Sequence, residues 1–286
     1  MADSKTAIFG ILGYPVRHSF SPAMHNAAFK YLNINARYEV FEKQPQEIEA
    51  FLQSLAQQNI CGLNVTIPYK EKVLNFVKLD RESFYAQKLQ AVNTIVVKDN
   101  VLKGFNTDKP GFSRHLKENF DPLNKNTAIL GAGGAARAVA YVLAESKAKN
   151  IDIYDVDTDK SKSIVSLIKE IFSNFNIQAV KKIEDLKIKE KDLLVNATPI
   201  GMKEIDPCLV KEEMLHKELF IYDLIYNPPE TKLLALAKKI GAKYSNGLGM
   251  LLYQGAISFK HFTEKDAPVE IMRQALIKEL EKCRKP

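Results

Sequence analysis

The stretch from Thr127 to Val139 carries the most explicit chemistry in the chain. Gly131, Gly133 and Ala136 follow the G-x-G-x-x-G/A order of a dinucleotide-binding turn. Gly131 permits a tight turn, Gly133 lets backbone approach a pyrophosphate, and Ala136 is small enough for a helix to lie close on its strand. Ala132, Gly134 and Ala135 complete the turn and open that helix, whose free N–H groups and dipole would face the phosphates. Asp155 ends the next apolar run, 155 − 131 = 24 residues on from Gly131. That is near the spacing of about 20 for a carboxylate on the ribose hydroxyls. A structural glycine-rich turn is the bland alternative. An apolar run before the turn and a helical run after it favour the nucleotide.

A second set of polar residues lies at strand ends or in the loops that follow: Ser19, Ser21, Asn64, Thr66, Lys70, Asn93 and Asp108. In sheets of parallel strands, ligands sit beyond the carboxyl ends. Each residue has a plain structural account. The serines could cap a helix, Asn93 and Asn106 could form turns, and Lys70 could be a solvated helix-start residue. Seven hydrogen-bonding groups around one pocket instead suit a small polyhydroxylated acid.

The elements that must position them read as alternating strands and helices. Ala7 to Gly13 is a buried strand. A loop then leads to a helix with Ser21 as N-cap and Pro22 in the first turn. Ala36 to Phe41 alternates like a strand, and Pro45 to Gln58 places Ile48, Phe51, Leu52 and Leu55 at helical spacing. Cys61 to Ile67 is a third strand, and Val92 to Val97 with Val101 to Phe105 form a hairpin around Asp99-Asn100. After Asp155 the pattern predicts a helix over 159–172 and strands over 177–180, 192–198 and 219–226. Closing helices over 251–262 and 269–281 would return to the first domain. The expected fold is α/β with two domains. Residues 1–108 with the C-terminal helices 250–286 form a substrate domain. Residues 109–249 form a Rossmann-type doubly wound domain, and the two chain crossings between them make a hinged cleft.

Composition narrows the class. With 286 residues, 46% hydrophobic and 26% charged, the chain can bury a sizeable core, and no apolar run reaches membrane-spanning length. The N-terminal residues lack a signal-peptide core. Cys61, Cys208 and Cys283 are scattered and odd in number, which points to a reducing cytoplasm and away from a disulfide or zinc framework. The five histidines have no metal-ligand spacing, so no metal is expected. The net charge of +7 raises the question of nucleic acid. The lysines alternate with acids, as in Lys181 to Asp192, the pattern of a solvated surface, and no nucleic-acid motif accompanies them.

Ser19-Phe-Ser-Pro-x-x-His-Asn26, Gly62-Leu-Asn-Val-Thr-Ile-Pro-Tyr-Lys70, Ala91-Val-Asn-Thr94 and Gly104-Phe-Asn-Thr-Asp108 closely resemble the substrate-domain motifs of the shikimate dehydrogenases. Val195 to Thr198, Asp223 to Pro228 and Gly247 to Ala256 extend the resemblance over nearly the whole chain. Pro199 departs from the serine usual at its position. The resemblance implies reversible NAD(P)H-dependent reduction of 3-dehydroshikimate to shikimate in aromatic amino-acid biosynthesis. By the same resemblance, Lys70 and Asp108 form the catalytic pair, and Tyr226 and Gln254 contact substrate. Leu224 and Gly247 lie against the nicotinamide. A quinate or dual-specificity dehydrogenase is the alternative within the family; a non-catalytic ligand sensor is disfavoured because both Lys70 and Asp108 are present.

Ketone reduction needs a hydride and a proton donor at the carbonyl oxygen, which suits Lys70 with Asp108 as its partner. Ser19 and Ser21 suit the carboxylate, and Asn64, Thr66, Asn93 and Gln254 the hydroxyls. The family default is NADP, with an arginine-bearing loop after the second strand of the nucleotide domain. Here Asp155-Val156-Asp157 stand in that loop, with Lys160 the only match to the basic pattern, so NAD is expected to be favoured. Partners are the small-molecule substrate and cofactor, with neither nucleic acid nor membrane, in a monomer or homodimer.

Overall fold

The computed structural model describes residues 5–283. The chain divides into two compact units, residues 1–111 with 251–286, and residues 112–250.

In the first unit, β1 (Ala7–Gly13), β2 (Ala36–Glu42), β3 (Ile60–Val65), β4 (Thr94–Lys98) and β5 (Val101–Phe105) form a five-stranded sheet in the order β2-β1-β3-β4-β5. The strand–helix–strand pattern yields a parallel β1–β2–β3 core, reached through α1 (Ser21–Tyr31) and α2 (Ile48–Ser54). The short α3 (Phe84–Leu89) precedes β4, and β4 and β5 run antiparallel, so the sheet is mixed. Lys98 pairs with Val101 across a two-residue turn. Asp99 and Asn100 both take positive φ there, 51° and 61°, the backbone that closes a tight hairpin without splaying its strands.

Leu12, Leu63 and Ile95 bury one side of this sheet with Phe51 and Leu52 of α2. Elsewhere in the unit Phe9 packs at a tilt against Phe29 and Phe262, ring centroids 5.5 and 4.9 Å away. The entry to α1 departs from expectation. Phe20, not Ser21, occupies the N-cap position, and no side chain caps the helix. Ser21 is already the first helical residue, and its N–H is taken by the Ser19 hydroxyl at 3.2 Å.

The second unit begins within α4 (Asp108–Asn119). Its strands are β6 (Asn126–Leu130), β7 (Asn150–Tyr154), β8 (Ile177–Val180), β9 (Leu193–Asn196), β10 (Phe220–Asp223) and the two-residue β11 (Tyr244–Ser245). They are all parallel, in the order β11-β10-β9-β6-β7-β8. This is the strand order of dinucleotide-binding sheets, with its switch point between β6 and β9. The helices are α5 (Gly134–Glu145), α6 (Thr158–Ile171), α7 (Lys232–Lys239) and the first residues of α8 (Leu248–Thr263); α9 (Val269–Cys283) belongs to the first unit.

The charged run before β9 is not wholly a solvated surface, as its sequence suggested. Lys191 is buried, with its ammonium 2.5 Å from the equally buried Asp152, whose other oxygen accepts from Gln178 at 2.9 Å. Leu186 and Ile188, between the lysines, enter the core. An ion pair at this depth persists because each charge is compensated within hydrogen-bond distance. No helix of the described residues is long and apolar enough to cross a membrane.

Candidate active site

In the first unit, Lys70 follows β3, Asn93 precedes β4 and Asp108 is the first residue of α4. The Lys70 ammonium lies 2.6 Å from Asp108 Oδ2, with the two side chains only 13% and 5% exposed. The other Asp108 oxygen accepts from Asn93 Nδ2 at 3.0 Å. The backbone N–H of Thr107 donates to Asn93 Oδ1 at 2.7 Å. A backbone N–H can only donate, so this bond fixes which end of the Asn93 amide faces the carboxylate. Asp108 is thereby held at both oxygens, one by a cation and one by an amide.

Gln254, on α8, brings its carbonyl oxygen to 3.4 Å from Asn93 Nδ2, while its own amide donates to the Leu251 carbonyl at 2.8 Å. A buried amide in an apolar helix thus finds both partners it needs. Asn64, at the end of β3, is also buried and engaged at both ends. Its oxygen accepts from the Tyr38 hydroxyl at 2.7 Å, and its nitrogen donates to Ser258 Oγ at 2.8 Å and Thr94 Oγ1 at 3.1 Å. Ser21 is buried, whereas Ser19 and Thr66 are half-buried in the loops after β1 and β3. Hydrogen bonds join Lys70, Asp108, Asn93, Gln254 and, through Ser258 and Thr94, Asn64. Ser19, Ser21 and Thr66 stand outside that set.

Four members were not singled out by sequence reasoning: Tyr38, Thr94, Thr107 and Ser258. Thr94 and Thr107 sit inside the quoted motifs beside Asn93 and Asp108, which was the available signal. Tyr38 and Ser258 lie on β2 and α8, and only the fold brings them to Asn64.

Beside this network, the buried His25 stacks face to face on Tyr38, ring centroids 4.3 Å apart and planes 2° apart. Neither ring nitrogen has a hydrogen-bond partner among the described residues. Desolvation holds its pKa down at about 3, so the ring is neutral.

In the second unit, Gly131 adopts φ +95°, and a Cβ there would come within 2.9 Å of the Ala197 backbone. A side chain is therefore excluded twice, by conformation and by space. A Cβ at Gly133 would meet nothing within 4 Å. The turn is open on that side, the space a pyrophosphate needs. The first backbone bond of α5 runs from Arg137 to Gly133, which places the N–H groups of Gly134 and Ala135 ahead of it at the helix end. The residues therefore fit a dinucleotide.

Ala132 differs from its neighbours, because its N–H donates to Asp155 Oδ2 at 2.6 Å. Asp155 Oδ1 accepts from the Asp157 N–H at 2.8 Å, so this carboxylate ties the end of β7 to the glycine turn. Asp157 caps α6, accepting from the N–H groups of Asp159 and Lys160. The Lys160 ammonium is exposed and 3.6 Å from Asp157. Val156 between the two acids is 90% exposed.

Gly247 lies against Leu224, where a side chain would collide with the Leu224 carbonyl. Tyr226, half-buried, follows β10. No group of three or more potential metal ligands occurs among the described residues.

With this geometry established, comparison places the chain among known proteins. Residues 11–95 match the shikimate dehydrogenase substrate binding domain, and residues 247–277 match the shikimate 5'-dehydrogenase C-terminal domain. The chain is 43% identical to a shikimate dehydrogenase (NADP(+)) of Methanopyrus kandleri, covering 97% of each chain. A crystal structure of a shikimate dehydrogenase in complex with NADP+ superposes with a TM-score of 0.87 at 39% identity, covering 98% of each chain. One from Listeria monocytogenes, in complex with shikimate and NAD, gives 0.80 at 35% identity over 94% of this chain and 96% of that one. The chain belongs to the shikimate dehydrogenase family.

Proposed function

We propose that the chain interconverts 3-dehydroshikimate and shikimate, with Lys70 and Asp108 handling the proton and NAD preferred as cofactor. The observation that carries this reading is the Lys70–Asp108 pair, a buried ammonium and carboxylate 2.6 Å apart. A bound nicotinamide supplies the hydride. The rest of the chemistry falls to side chains of the chain itself. As a ketone is reduced, negative charge develops on its oxygen, and the Lys70 ammonium can neutralise it or pass it a proton. Asp108 stays a carboxylate, accepts a hydrogen bond from the reacting hydroxyl, and holds Lys70 at the required position. In the oxidative direction the neutral Lys70 amine takes the hydroxyl proton back and becomes the ammonium paired with Asp108.

Ser19 and Ser21 are proposed to bind the substrate carboxylate, and Asn64, Thr66, Asn93, Gln254 and Tyr226 its hydroxyls. Gly131 to Ala135 would take the pyrophosphate at the start of α5, and Leu224 and Gly247 would lie against the nicotinamide.

The cofactor preference rests on charge. Asp155 is held by two backbone N–H groups, and its remaining lone pairs suit the free 2′- and 3′-hydroxyls of a ribose. A 2′-phosphate would bring about two negative charges beside Asp155 and Asp157, with Val156 offering no guanidinium and the Lys160 ammonium already 3.6 Å from Asp157. Steady-state kcat/KM for shikimate and for quinate, each with NAD and NADP, tests both parts. Shikimate oxidation with NAD ahead of NADP is expected. A tenfold or greater preference for NADP, about 1.4 kcal/mol, would overturn the cofactor assignment, and quinate turnover without shikimate turnover the substrate.

A further inference from the structure

Ser258 is a fully buried hydroxyl on α8 with no role in the chemistry above. Its oxygen has four polar neighbours. The Gln254 backbone carbonyl lies at 2.9 Å, Asn64 Nδ2 at 2.8 Å, Thr94 Oγ1 at 2.9 Å and Thr107 Oγ1 at 3.0 Å. A hydroxyl has one hydrogen and two acceptor lone pairs. The Gln254 carbonyl can only accept, so the hydrogen of Ser258 belongs there. The two lone pairs then take the Asn64 amide and a threonine hydroxyl. Thr107 accepts from Asn93 Nδ2 at 2.9 Å, and its own hydrogen reaches Ser258 at 3.0 Å, with Asn93 Oδ1 the longer alternative at 3.2 Å. Asn93 in turn donates to Asp108.

The bonds therefore diverge from Asn93, whose amide donates to Asp108 on one side and to Thr107 on the other, and from Thr107 they run through Ser258 out to the helix carbonyl. At the same time Ser258 draws the nitrogen end of Asn64 towards itself. The Tyr38 hydroxyl, donating to Asn64 Oδ1, holds the opposite end.

We propose that Ser258 is a positioning residue of the reaction, fixing Asn64 directly and Asp108 through Thr107 and Asn93, with Tyr38 as the counter-clamp on Asn64. The proposal rests on the assignment of Asp108 and Asn64 to the site. It treats the buried hydroxyls as an ordering device: remove the acceptor at Ser258, and Asn64 and Thr107 each regain alternative partners and lose their single arrangement. The consequence belongs in turnover more than in stability, because Asn64 keeps Thr94 and Thr107 keeps Asn93 as partners.

The test is steady-state kinetics on the full chain for Ser258→Ala, Ser258→Thr, Tyr38→Phe and Asp108→Asn, with a thermal melt of each. Ser258→Ala is expected to lower kcat about tenfold, the scale of one buried hydrogen bond, while KM for the cofactor stays unchanged. Ser258→Thr, which keeps the oxygen, should restore most of that loss. Tyr38→Phe removes one oxygen, keeps the ring against His25, and should raise KM for shikimate about fivefold with kcat little altered. Wild-type kcat in Ser258→Ala, or equal losses in the Ala and Thr variants, would overturn the proposal. If the Ser258 variants do not fold, Tyr38→Phe decides alone, and an unchanged KM there rejects the clamp. Asp108→Asn separates the two levels of the argument. Its loss of turnover beside an unaffected Ser258→Ala defeats this proposal only, whereas wild-type turnover in Asp108→Asn defeats the site assignment and the proposal together.

Discussion

The candidate catalytic groups of the first unit are side chains buried in one another's hydrogen bonds, whereas the candidate cofactor turn of the second is almost entirely backbone. Lys70, Asp108, Asn93, Asn64 and Ser258 come from strands, loops and a helix far apart in sequence, and each depends on the next for its orientation. Gly131 to Ala135 are consecutive, and what they contribute is φ, open space and N–H groups. The difference sets how each region should fail. A side-chain network loses turnover when one member is cut, while a backbone turn loses cofactor when one atom is added.

The largest effect expected is at Asp108. Asp108→Ala should cost at least about a hundredfold in kcat, the scale of a general acid–base group. Cofactor KM should hold, since the pair belongs to the substrate unit. A matching rise in cofactor KM would blur the division between the units.

Gly131→Val probes the other half. It puts a branched side chain at φ +95° against the Ala197 backbone. The expected result is a rise of at least about tenfold in cofactor KM, with shikimate affinity kept in a binding assay without cofactor. If shikimate affinity falls equally, the turn is a structural element of the whole chain.

Replacing Ser19 and Ser21 together with Ala should raise KM for shikimate about tenfold, as lost charge-assisted hydrogen bonds would, with a modest change in kcat. An unchanged KM would leave the serines as parts of the α1 entry, where Ser19 already accepts the Ser21 N–H.

The smallest effect concerns His25, which stacks on the Tyr38 ring of the network. Its folded pKa of about 3 lies below the unfolded value near 6.5. The unfolded chain therefore binds the proton first as pH falls. The stability from keeping this ring neutral is whole above pH about 6.5 and is lost between there and about 3, at about 1.4 kcal/mol per pH unit. Denaturant unfolding at several pH values should give a shallower acid decline for His25→Phe than for the wild type. Equal slopes would mean that the ring gains a partner or water on protonation.

Much of this was legible in the sequence, and unevenly. Strand–helix alternation carries the α/β class, and the residues 177–180 coincide with β8 because a short apolar run between turn residues has few other outcomes. The Asp99-Asn100 hairpin was legible for the same local reason. The two-residue β11 was not, since Tyr244 and Ser245 have no period to detect. Lys191 reads as one more lysine in a solvated run, and only the long-range approach of Asp152 shows it buried. Ser21 has the residue type of an N-cap, yet the chain enters the helix one residue earlier. In the site, Lys70, Asn93 and Asp108 stood out because motifs mark them. Tyr38 and Ser258 did not, because their meaning lies in proximity to Asn64, across 26 and 194 residues of sequence.

Lys70 is the group proposed to meet the reacting oxygen. The most direct measurement is the turnover of Lys70→Ala, with its thermal melt and its KM for shikimate measured alongside. The prediction is a loss of at least about a hundredfold in kcat, with a smaller change in KM and a folded protein. Near-wild-type turnover in a folded Lys70→Ala would contradict it, and the buried pair with Asp108 would then be a structural ion pair.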